Sequence, residues 1–94
     1  MTEDEKQRYH GEQLVAYRGL FSSMDGAARA IWFFTMDESE ILSFLVGADE
    51  SPEAASARHG IKLAAMADAL EQVYPDTSSD QVIDLRRLAA KHAH

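Results

Sequence analysis

Signals for the start of a helix recur along this chain, and they restrict its fold more than any other feature. A capping residue is followed three positions later by Glu or Gln at Thr2, Asp37 and Ser78, which is the spacing of a capping box. Ser51 and Pro52 mark a further start, because Pro at the first helical position needs no backbone donor. Alternating runs of Val, Ile and Thr, which mark strands, do not occur. The sequence therefore predicts an all-α fold.

Apolar residues recur at helical spacing between these signals. The predicted helices follow Thr2 as far as Met24, cover Ala27–Met36, follow Asp37 as far as Val46, run from Pro52 to about Tyr74, and follow Ser78 to the last residues. A chain of 94 residues is long enough for one core. We therefore predict a single domain over residues 1–94, a compact bundle of four or five helices, for which a homodimer is the expected homo-oligomer.

The charge balance bears on the class of partner. Sixteen acidic residues against nine basic ones give a formal net charge of −7, which a nucleic-acid backbone would repel. The chain contains no cysteine, so thiolate metal sites are excluded. Its acidic N-terminal residues do not resemble a secretory signal, and no apolar run is long enough to span a bilayer. These features predict a cytoplasmic protein that binds neither nucleic acid nor membrane directly.

Acidic residues are concentrated in one stretch of the chain. No basic residue occurs between Arg29 and Arg58, so local repulsion there is not balanced along the sequence. Acids in the first turn of a helix are favoured by the helix dipole, but that accounts for only part of the excess. We predict that this acidic set binds a basic surface of a protein partner; its members are Asp37, Glu38, Glu40, Asp49, Glu50 and Glu53.

Aromatic residues form the second notable feature. Ile31 to Phe34 sweep most of the circumference of a helix, so one core cannot receive all of them. Two of the three aromatic side chains in this run are expected in the core, and the third at a homodimer seam or in a partner groove. The aromatic set predicted for partner binding or dimerisation is Trp32, Phe33 and Phe34, extended by Tyr9 and Tyr17 on the first helix.

No spacing in the sequence indicates catalysis or metal binding. The imidazoles of His10, His59, His92 and His94 do not stand at the spacings of known zinc motifs, and His59 is interpreted as an interface or surface group. Neither a nucleophile elbow nor a phosphate-binding glycine loop is present. We therefore predict no catalytic residue, no metal and no cofactor.

Together these features predict a small acidic helical protein that works by protein–protein binding, as an inhibitor, an adaptor or a regulatory subunit. Such a protein would compete with nucleic acid if the partner's basic surface normally holds it. Phage anti-defence proteins and bacterial immunity proteins have this general size and composition. The alternative is a homodimeric bundle that binds a small apolar ligand in a pocket lined by Trp32, Phe44 and Met66.

Overall fold

The structure, a computed structural model, describes residues 2–24, 37–46, 49–75 and 79–92. Within these ranges the fold is all-α, as predicted, and contains five helices and no strand. In chain order they are α1 (Glu3–Ser23), α2 (Glu38–Phe44), α3 (Pro52–Ser56), α4 (His59–Val73) and α5 (Ser79–Lys91). The helix predicted over Ala27–Met36 lies outside the described residues.

Three of the predicted helix starts are confirmed by their capping hydrogen bonds. The backbone N–H of Glu5 donates to the Thr2 hydroxyl at 3.2 Å, and that of Glu40 donates to the Asp37 carboxylate at 2.9 Å. The N–H of Ala54 donates to the Ser51 hydroxyl at 3.2 Å. Each bond satisfies a backbone donor that the first turn of a helix leaves without a partner. The cap predicted at Ser78 lies outside the described ranges.

The core is built around α4, which packs against α1 on one side and α5 on the other. Leu63, Met66 and Leu70 of α4 are fully buried. Phe21 of α1 and Leu85 of α5 are buried against them. The predicted apolar stripes of these helices are therefore confirmed, because the helical period places their large side chains on the faces that meet.

The predicted helix from Pro52 to about Tyr74 is wrong in one respect, since the chain breaks it into α3 and α4. Arg58 has φ −111° and ψ −1°, which departs from the usual α-helical values of about −63° and −42°. The last turn of α3 tightens, with the N–H of Arg58 donating to the Ala55 carbonyl at 2.9 Å. Gly60, the second residue of α4, has a low helix propensity and so gives little support to one continuous helix across the break.

Polar contacts join α4 to both of its neighbours. The Asp68 carboxylate accepts from Nε2 of His10 on α1 at 2.9 Å, and its other oxygen lies 2.9 Å from the Arg86 guanidinium of α5. At the far end of α1, the Tyr74 hydroxyl donates to the Phe21 carbonyl. These contacts fix the positions of α1 and α5 along the axis of α4.

A buried lysine holds Leu45 and Glu50, which follow α2 and precede α3. The Lys62 side chain is 5% exposed, and its ammonium donates to the Leu45 carbonyl and, at 2.9 Å, to the Glu50 carboxylate. A buried ammonium is stable only where such partners surround it. Lys62 therefore holds the chain on both sides of residues 47–48 against α4.

No helix in the described ranges combines the length and the apolar composition that crossing a membrane requires. Whether the chain forms a homodimer stays a prediction.

Truncating a buried side chain of α4 should lower the free energy of unfolding much more than truncating an exposed side chain of α1. We expect Leu63→Ala to lower the free energy of unfolding by about 2–5 kcal/mol, because it leaves a cavity at a fully buried site. The control, Val15→Ala, removes a side chain that is 68% exposed and should change it by less than about 0.5 kcal/mol. Urea denaturation measures both, and equal losses would contradict the described core.

Candidate functional site

A groove of about 950 Å³ opens over the N-terminal half of α4. It lies between the start of α1 and the end of α5, with α3 at its side. This volume is in the range of sites that hold small molecules. The lining residues are Lys6, Gln7, His10, Ala54, Ala57, Arg58, Gly60, Ile61, Ala64, Ala89, Ala90 and His92. We call it the basic-rimmed groove.

The floor of the basic-rimmed groove follows from a stripe of small residues. Gly60, Ala64 and Asp68 are four positions apart on α4, so they share one helix face. The first two leave space where larger side chains would fill it. The third carries the contacts to His10 and Arg86 that join α1 and α5 to α4. The groove therefore begins on the same α4 face, one helical turn before this polar bridge.

The charges at the groove are basic. Lys6 and Arg58 contribute cations and His10 and His92 contribute imidazoles, while no acid occurs among the described lining residues. The Arg58 guanidinium is held over the Tyr9 ring, 5.3 Å from its centroid, in a cation–π arrangement. The protein as a whole carries a net charge of −7, so this groove has the opposite sign to the molecule around it.

Both groove cations have acidic neighbours, but these contacts are long. Lys6 lies 3.5 Å from Glu3, whose side chain is 83% exposed. Arg58 lies 3.5 Å from Glu50. The exposed pair of Lys6 is worth at most about 1 kcal/mol. In the pair of Arg58, the Glu50 side chain is 20% exposed and is shared with a shorter contact of 2.9 Å to Lys62. Lys6 and Arg58 therefore remain able to pair with an anion in the groove.

The acidic set is divided by the tertiary structure. Asp37, Glu40, Asp49 and Glu53 are exposed, and no ion pair to a described residue involves them. Glu38 instead lies 3.1 Å from Lys91 of α5, which lowers the pKa of its carboxyl. The expectation that no base compensates this stretch is therefore wrong for Glu38.

The same correction applies to Glu50. Its carboxylate accepts from Lys62 at 2.9 Å, and this hydrogen bond holds its pKa below the ordinary value of 4.5 although partial burial opposes that change. Sequence reasoning missed both pairs because Lys62 and Lys91 stand outside the acidic stretch. The role of the acidic set in partner binding stays a prediction.

The aromatic set is only partly described. Trp32, Phe33 and Phe34 lie outside the described residues. Tyr17 is buried and stacks on Phe21 with a centroid distance of 6.3 Å, and burial raises the pKa of its hydroxyl. Tyr17 is therefore a core residue and not part of an exposed surface. Tyr9 is half-buried beneath Arg58 at the edge of α1.

The predicted apolar pocket is not formed by its two described members. Met66 is fully buried in the core, whereas Phe44 is 40% exposed. The described residues do form a concave surface elsewhere, in the basic-rimmed groove. Its signal in the sequence was the spacing of small residues at Gly60 and Ala64, which alone does not distinguish an open groove from a close helix contact.

The interpretation of His59 as an interface or surface group is wrong in its surface alternative. Its ring is buried, and its two nitrogens have no hydrogen-bond partner among the described residues. It meets the His92 ring edge to face, with centroids 5.9 Å apart. Burial lowers the pKa of His59 below its ordinary value of 6.5, and the nearby His92 and Lys62 lower it further.

The His10 and Asp68 pair has the geometry that orients an imidazole as a general base. However, the described groove lining contains no Ser, Thr or Cys that such a base could activate. Arg86 also holds the second oxygen of Asp68, as in a helix-linking network. Among the described residues, no group of three or more His, Asp or Glu side chains is placed to hold a metal ion.

Acid should destabilise the fold through His59. Below about pH 6.5 the unfolded chain binds a proton at this position that the folded chain does not, so stability falls as pH decreases. The slope from one such group is at most about 1.4 kcal/mol per pH unit. We expect His59→Leu to reduce the pH dependence of urea denaturation between roughly pH 6.5 and pH 5. An unchanged slope would show that other groups cause it.

No protein-family model matches the sequence, and neither a curated protein nor a solved structure matches the chain.

Proposed function

We propose that this protein acts by non-covalent binding and that an apolar part of its ligand binds in the basic-rimmed groove. The observation that carries the proposal is the concave space of about 950 Å³ over Gly60, Ile61 and Ala64. Ligand sites are typically concave and largely apolar, with a small number of polar groups that orient the ligand. The groove combines an apolar floor with four basic or imidazole side chains in this way.

Binding is supported over catalysis by the chemistry of the lining. The methyl groups of alanines and the branched aliphatic side chain of Ile61 cover the floor, and the polar groups at the edge are cations, imidazoles and one amide. These groups can orient a ligand, and the described lining contains no Ser, Thr or Cys nucleophile. The His10 imidazole is already engaged by Asp68.

Filling the groove tests this proposal. Ala64→Phe places a ring over the floor, and we expect it to weaken binding of the neutral dye Nile red by about tenfold, or about 1.4 kcal/mol. Dye fluorescence in a titration with the purified protein measures the affinity. The matched control is Ala16→Phe, which adds the same ring at an exposed position of α1 outside the groove.

The outcomes of this experiment are distinct. Loss of dye binding in Ala64→Phe but not in Ala16→Phe supports the groove as the site. Equal binding by both variants, or no binding by the unaltered protein, would overturn the proposal. If Ala64→Phe unfolds the protein, Ala57→Phe replaces it, because Ala57 lines the same groove and is exposed.

We also propose a protein partner with a basic surface, which would make the protein an inhibitor, an adaptor or a regulatory subunit. The supporting observation is that four acids remain exposed after Glu38 and Glu50 have been paired internally. One of them, Asp37, caps α2. The other three, Glu40, Asp49 and Glu53, hold no described helix cap or ion pair, so their charge is available to a partner.

Charge reversal at these three positions tests the second proposal. We expect the variant with Glu40→Lys, Asp49→Lys and Glu53→Lys to lose a partner that the unaltered protein captures stoichiometrically from host lysate. That partner should also be released by salt, because the screening length falls from about 10 Å to about 3 Å between 0.1 M and 1 M.

A control of equal charge keeps this test specific. It reverses three exposed acids elsewhere, Glu12, Asp80 and Asp84, and should retain the partner. Asp37 is left unchanged in both variants because loss of an N-cap costs about 1 kcal/mol. Retention of the partner by the first variant would rule out the acidic surface.

A further inference from the structure

We infer that the ligand of the basic-rimmed groove is an aliphatic carboxylate, whose chain lies on the floor and whose carboxylate pairs with Lys6 and Arg58. The inference rests on the proposed groove function and names the chemistry of its ligand. Three properties of the groove support it: the sign of its charges, the kind of apolar surface it offers, and the contrast with the rest of the molecule.

The sign of the charges selects an anion. Lys6 and Arg58 approach the groove from α1 and from the junction of α3 and α4. Their present acidic neighbours, Glu3 and Glu50, are 3.5 Å away and lie outside the lining. A guanidinium forms shorter, charge-assisted hydrogen bonds with a carboxylate that reaches it directly. Arg58 is also held in place by its contact with Tyr9, which reduces the entropy lost on binding.

The apolar surface selects an aliphatic chain over an aromatic ring. The floor consists of alanines, Gly60 and Ile61, so it offers methyl and methylene groups. No aromatic side chain other than the imidazoles of His10 and His92 occurs among the described lining residues, and His10 is engaged by Asp68. Burial of each methylene group of a ligand on such a surface is worth up to about 0.8 kcal/mol.

The contrast with the whole molecule makes the inference specific. A net charge of −7 attracts cations to the protein and repels anions. A preference for a carboxylate over a cation of equal chain length must therefore come from local groups. In the groove these groups are Lys6 and Arg58. The carboxylate of Asp68 lies nearby, but its charge is already paired with His10 and Arg86.

Three ligands with the same chain test the inference: decanoate, 1-decanol and decyltrimethylammonium. Each is titrated into the protein at neutral pH and low ionic strength, below its micelle concentration, and displacement of Nile red is recorded. We expect decanoate to bind about tenfold more tightly than decanol, because a charge-assisted hydrogen bond adds to the same apolar burial. The ammonium compound should bind most weakly.

Two double variants locate the source of this preference. Lys6→Gln with Arg58→Gln should reduce the affinity for decanoate to that for decanol. Arg18→Gln with Arg87→Gln removes the same charge from two exposed positions outside the groove and should leave the preference unchanged. Circular dichroism confirms that both variants are folded.

The results distinguish a failure of the carboxylate assignment from a failure of the proposed groove function. Equal affinity for decanoate and decanol, with Nile red still displaced, overturns the carboxylate assignment but leaves the groove function intact. A preference that survives Lys6→Gln with Arg58→Gln places the anion elsewhere and overturns it as well. Analytical sedimentation measures whether the protein is a dimer. A dimer that is dissociated by Ala64→Phe but not by decanoate would show that a second copy fills the groove, and it would overturn the carboxylate assignment.

Discussion

The burial of α4 between α1 and α5 is the constraint on which the rest of the described structure depends. Its large apolar side chains, Leu63, Met66 and Leu70, are fully removed from solvent, so hydrophobic burial on this helix is a major favourable contribution to the described core. A central helix packed on two sides leaves one face for other purposes. On α4 that face carries Gly60, Ala64 and Asp68, and it becomes the floor of the groove and the bridge beyond it.

Two charged residues of α4 then determine where the other segments lie. Lys62 holds the chain on both sides of residues 47–48, and Asp68 joins α1 to α5. A buried or partly buried charge that loses its partner costs more than the pair contributes. Such residues therefore favour one arrangement of helices over others with similar apolar burial. Lys62 is paired with Glu50, so this member of the acidic set stabilises the fold.

The charge distribution that results has two parts of opposite sign. Glu40, Asp49 and Glu53 remain exposed and acidic, whereas the groove contains Lys6 and Arg58. Net charge describes neither part, because a ligand responds to the groups within roughly one screening length of about 10 Å. A protein of this composition can therefore offer an acidic surface to one partner and a cationic groove to another ligand.

Local features of the fold could be predicted from the sequence, because caps and apolar periodicity depend on residues that are close along the chain. The starts at Thr2, Asp37 and Ser51 and the apolar stripe of α4 belong to this class. Only the tertiary structure decided the break at Arg58, the burial of His59 and the groove over Gly60 and Ala64. It also paired Glu38 with Lys91, which is 53 positions away. Such contacts depend on which helix faces meet, and that is determined by the packing of the whole core.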